Sequence, residues 1–127
     1  MFEFSNELEE LGKTVIEKYD EFSHLRHAGP RIVYQYSDRK KLTNGKAILA
    51  DTTKVSEKMK PASRYTDFVI TFYRPSVENM TPEQMEILMR HEMKHVGWDE
   101  GNAYIVPHDV EDFSDIIKEH GTEWWFN

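Results

Sequence analysis

The chain holds six histidines and no cysteine, and two of the histidines fall in the run His91-Glu92-Met93-Lys94-His95. This run matches H-E-x-x-H. On a helix, residues four apart share one face and sit about 6 Å apart along the axis. Imidazoles so placed reach a single tetrahedral zinc ion through bonds of about 2.1 Å. Glu92 neighbours His91 and projects to the side of the metal, where it can hold a water molecule and take its proton. The chemistry expected is hydrolysis, with His91 and His95 as metal ligands and Glu92 as general base. Without cysteine there can be no disulfide, iron–sulfur cluster, thiol nucleophile or cysteine-type zinc ribbon. A metal site must draw on His, Asp and Glu.

A catalytic zinc takes a third protein ligand and keeps a fourth position open. His108 is the best candidate, thirteen residues after His95 and at the entrance to a further helix. Asp109, Glu111 and Asp112 are alternative carboxylate ligands. Asp109 reads better as a helix N-cap, and Asp112, one turn past His108, is placed to orient the second ring nitrogen of that histidine. Equally, these acids suit the positive end of a helix. Tyr104 is a candidate donor to the oxyanion of a tetrahedral intermediate. His24 and His27 read as solvated, His120 as a helix C-terminal residue, and Trp98, Trp124 and Trp125 as packing groups.

Several elements must position these groups. Leu8, Leu11, Val15, Tyr19 and Phe22 recur at helical spacing, and Asn6 with Glu9 suggests a capping box, so a helix is predicted over 6–22. Ile32–Tyr36, Lys46–Asp51 and Phe68–Tyr73 read as strands, Asn44-Gly45 as a turn, and 52–66, polar and carrying Pro61, as a loop. Thr81, Pro82 and Gln84 open the H-E-x-x-H helix as N-cap, first residue and box partner. That helix is predicted to reach Val96, with Gly97 as its left-handed stop. A last helix is expected from about Asp109 to Glu119 or His120, with Gly121 after it. The fold class is α+β: a small, mostly three-stranded sheet packed on an N-terminal helix, the H-E-x-x-H helix and a C-terminal helix. Phe68, Val69 and Ile70 are candidate substrate-binding residues, on the reading that their strand is an edge lining the cleft.

With 127 residues, 39% of them hydrophobic, the chain can bury one modest core, and a single domain over 1–127 is expected. Charge is uneven: residues 1–75 carry 13 basic and 11 acidic groups, residues 76–127 carry 3 and 12. The acidic half suits a cation and argues against gripping phosphates. Residues 39–64 hold Arg39, Lys40, Lys41, Lys46, Lys54, Lys58, Lys60 and Arg64, a possible nucleic-acid contact that lacks interleaved aromatics and reads better as a solvated surface. No targeting sequence or membrane-length apolar run appears, so a cytoplasmic protein is expected.

Three stretches resemble the putative phage metallopeptidase domain, a small zincin of phages and prophages. They are Asp67-Phe68-Val69-Ile70; Leu88 to Gly97 following Thr81-Pro82-Glu83-Gln84; and His108-Asp109-Val110-Glu111-Asp112-Phe113 followed by His120-Gly121 and Trp124. The resemblance covers about residues 65–125. It implies His91, His95 and His108 as zinc ligands, Glu92 as general base, and a minimal zincin fold similar to SprT-like proteases in the cytoplasm of a bacterial host. Many SprT-like proteins add a cysteine zinc ribbon, which this chain does not have. The leading expectation is a zinc-dependent endopeptidase acting on a peptide or protein. The alternative is a non-catalytic, zinc-stabilised protein-interaction module.

Overall fold

The computed structural model describes residues 1–107. In chain order they form β1 (Phe2–Phe4), α1 (Asn6–Lys18), a 3₁₀ helix (Asp20–Leu25), β2 (Ile32–Ser37), β3 (Lys41–Thr43), β4 (Lys46–Ile48), β5 (Ala50–Lys54), β6 (Phe68–Tyr73), α2 (Arg74–Val77), α3 (Pro82–Met93), β7 (Val96–Asp99) and β8 (Asn102–Ile105). The main sheet is four-stranded and mixed, in the order β1-β2-β6-β5. β2 and β6 run parallel, and the outer pairs are antiparallel. β3–β4 and β7–β8 are separate hairpins. The class is α+β, as expected, but the main sheet has four strands: β1 and β5 join it, and residues 46–48 leave it for the β3–β4 hairpin. The expected C-terminal helix lies outside the described residues.

β5 is the consequential addition. The expected strand over 46–51 breaks at Leu49, and a new strand runs on through Lys54, in what reads from composition as loop. Thr52 and Thr53 pair across Ile70 and Val69. Branched at Cβ, threonine suits a pleated surface despite its polarity. The Asn44-Gly45 turn holds, with φ of 53° and 77° at its two residues, the left-handed pair that a tight hairpin needs.

The first helix begins at Asn6, as expected, but its cap lies one residue earlier. Ser5, not Asn6, is its N-cap, its hydroxyl accepting from the Leu8 amide at 3.1 Å. The Ser5 amide donates to the Tyr34 carbonyl at 3.0 Å, so the chain is still extended there as it leaves β1. The helix also ends early, at Lys18, with Tyr19 extended before the 3₁₀ turn.

Phe68, Ile70 and Phe72 alternate along β6 and are fully buried; with Leu8 and Val15 of α1 and Leu88, Met89 and Met93 of α3 they form the core. Each such side chain contributes about 1.5–3 kcal/mol on burial. Polar contacts tie α1 and the 3₁₀ helix to α3. Tyr19 donates its hydroxyl to Glu86 Oε2 at 2.8 Å, Lys18 Nζ lies 2.7 Å from the same oxygen, and Arg90 pairs with Glu21 at 2.8 Å while lying over the Tyr19 ring. No helix among the described residues is long and apolar enough to cross a membrane.

Candidate metal centre

α3 carries the site and starts where its sequence says it should. The Thr81 hydroxyl accepts from the Gln84 amide at 3.1 Å, and the Gln84 side chain accepts from the Thr81 amide at 2.9 Å. Its end departs from expectation. The helix closes at Met93, and Gly97 sits inside β7, not in a left-handed stop. The physical reason is the β7–β8 hairpin, whose pairing with Val96 onward competes with another helical turn. His91 is therefore a helical residue, while His95 lies just past the helix, its amide donating to the Glu92 carbonyl at 3.0 Å.

The hairpin takes over the orientation of His95. The Val106 amide donates to the His95 carbonyl at 2.9 Å, extending the ladder one pair beyond Val96 and Ile105. The His95 ring nitrogen Nδ1 lies 2.8 Å from the Val106 carbonyl oxygen. A carbonyl only accepts, so Nδ1 carries a proton, and in the neutral ring the lone pair stands on Nε2. A main-chain carbonyl on the far nitrogen is the usual support of a metal-binding histidine.

The two imidazoles lie 5.5 Å apart, centre to centre, and nearly perpendicular. His91, Glu92 and His95 are buried, and each offers a ligating atom within 4.8 Å of the others. Two imidazoles and a carboxylate, with one imidazole already set in the ligating tautomer, fit a divalent transition metal. They line a cleft of about 490 Å³ whose other walls are Leu88, β5, the β3–β4 hairpin and Ile105 of β8.

β5 supplies groups that the sequence reading missed. The Thr52 hydroxyl reaches Glu92 Oε1 at 2.9 Å and the Glu92 carbonyl oxygen at 3.1 Å. Asp51 accepts from the Tyr73 hydroxyl at 2.6 Å and pairs with Lys41 at 2.6 Å. Burial, and then the bond to Asp51, push the Tyr73 phenol well above its ordinary 10, which keeps it a donor. The one sequence signal for this strand was the β-branched pair Thr52-Thr53.

The expected edge strand was misplaced. Phe68, Val69 and Ile70 lie on β6, which is bonded to β2 on one side and β5 on the other. Its main-chain groups are engaged on both sides, and Phe68 and Ile70 are core residues, so no peptide can pair there. The edge strand beside the His91-Glu92-His95 group is β5. Tyr104 is not among the cleft-lining residues; its ring covers Gly97, where a Cβ would collide with it. The basic run 39–64 is spread over the β3–β4 hairpin region, the end of β5 at Lys54 and the turns after it, and Lys41 and Lys60 are paired with carboxylates. His24 and His27 are exposed. His108 and Asp112 lie outside the described residues, as do Asp109, Glu111, His120, Trp124 and Trp125.

The chain matches no curated protein and no solved structure. A family model described as putative phage metallopeptidase covers residues 1–126. With a buried H-E-x-x-H group at the floor of a cleft and that match over nearly its whole length, the chain belongs to the putative phage metallopeptidase family.

Proposed function

We propose that the chain is a zinc-dependent peptidase of phage or prophage origin, a single domain over 1–127 with a minimal zincin-like fold, acting in the cytoplasm of a bacterial host. One observation carries the reading: His91, Glu92 and His95 are buried together on a cleft, with the His95 ring held through Nδ1 by the Val106 carbonyl. His91 and His95 are two ligands. His108 is the proposed third, joined by a two-residue tether, about 7 Å at full stretch, to the residue that holds His95. Asp112 is proposed to orient it.

A bound zinc ion supplies Lewis acidity to the attacking water and the scissile carbonyl. Glu92 takes the proton from that water and delivers it to the leaving amine, which returns the carboxylate to its starting charge. The substrate would lie along β5. In this antiparallel pair Val55 bonds to Asp67 and Leu49 to Tyr73, so the intervening Asp51 and Thr53 turn their amides and carbonyls toward β6. Ala50, Thr52 and Lys54 turn theirs outward, and among the described residues nothing pairs with them. An extended peptide adding to that edge would cross the cleft beside Glu92.

Metal analysis and peptide-library cleavage test the reading together. Glu92→Gln is expected to keep its zinc and to lose about 10²–10⁴ in turnover. Wild-type rates in that variant would overturn the mechanism. A wild-type protein that binds zinc and cleaves nothing would instead support the non-catalytic interaction module.

A further inference from the structure

Thr52 lies forty residues from the H-E-x-x-H run in sequence, yet its hydroxyl touches two oxygens of one residue, Glu92. A hydroxyl has one proton and serves one acceptor at a time. A carboxylate, when ionised, is a stronger acceptor than a carbonyl, and the 2.9 Å bond to Oε1 is the shorter of the two. Glu92 is a long side chain with three rotors, and a general base works only from one narrow set of positions. The helix fixes where its Cα stands. Something outside the helix must fix where its carboxylate stands.

Thr52 is suited to that task by its place in the sheet. Its side chain turns toward α3, while its amide and carbonyl turn to the outer edge of β5. It is also half-buried and braced across β6 by Ile70, itself fully buried. We propose that Thr52 is the positioning residue of Glu92: its hydroxyl holds the carboxylate at the floor of the cleft, and its main chain presents the same residue to an extended peptide on β5. Glu92 and the substrate strand are thereby registered against one point of the structure. This assignment rests on the peptidase reading of the same site.

Two substitutions test it. Thr52→Val keeps the shape and removes the hydroxyl; Thr52→Ser keeps the hydroxyl. Thr52→Val is expected to bind zinc as the wild type does, to keep its KM, and to lose about 10- to 100-fold in kcat. Thr52→Ser is expected to recover most of that loss. In metal-free crystals the Glu92 carboxylate should stay beside residue 52 in Thr52→Ser and turn away, or divide between rotamers, in Thr52→Val. Unchanged kcat in Thr52→Val, an unmoved Glu92, a Thr52→Ser as slow as Thr52→Val, or loss of zinc from Thr52→Val would each overturn the assignment. A wild-type protein that binds zinc but cleaves no peptide overturns the peptidase reading and any catalytic use of Thr52, while the crystals still decide whether the hydroxyl anchors Glu92.

Discussion

His95 shows what a four-residue spacing can and cannot say. The motif placed two imidazoles and a carboxylate together, and the structure does bring them within ligating distance of one another. The spacing said nothing of how His95 is aimed. That depends on Val106, eleven residues on, whose carbonyl selects the tautomer. Thr52 was harder still to see, because a hydrogen bond spanning forty residues leaves no local pattern. At this scale the proposed ligand set is open to direct measurement. Purified protein is expected to carry one equivalent of zinc and His108→Ala close to none. Asp112→Asn, which alters the residue proposed to orient His108, should cost about 10- to 100-fold in zinc affinity. Equal zinc in all three proteins would remove residue 108 from the site.

Among the elements, the legible ones carry strong local signals. α3 announces itself through Thr81, Pro82 and Gln84, and β6 through unbroken apolarity, which here marks a strand covered on both edges and both faces. β5 was illegible because its inward positions are the small residues Ala50 and Thr52, too weak an alternation to read as a strand. The end of α3 was misread because Gly97 looks the same as a helix stop and as a close approach between strands. Gly97 is in fact spaced against the Tyr104 ring and carbonyl. Gly97→Ala should push the strands apart, destabilise the protein by about 1–3 kcal/mol, and weaken zinc binding by disturbing the ladder that aims His95. Denaturation midpoints and zinc titration, taken together, check this; a variant as stable as wild type with unchanged affinity would count against it.

Taken whole, the molecule binds its N-terminal helices to α3 through charge as well as packing. The Lys18 ammonium, and after it the Tyr19 hydroxyl, hold Glu86 below its ordinary 4.5. A carboxyl held down only in the folded state stabilises the fold above that value, and its share fades as pH falls through the lower folded value. Lys18 is raised above 10.5, chiefly by its bond to Glu86, so its share is present below 10.5 and fades as pH rises through the folded value. Glu86→Gln should therefore lower the urea midpoint at neutral pH and converge on wild type in strong acid. A gap that persists in acid would show that the contact is not electrostatic.

The outward-turned amides of β5 carry one more implication. A groove that grips main chain is blind to most side chains, so sequence tolerance would be broad. Proline is the exception, having no N–H to give, and a peptide N-methylated at a pairing position shares that defect. On the proposed peptidase reading, such peptides should escape cleavage and serve poorly as inhibitors, even when their composition otherwise matches a cleaved sequence.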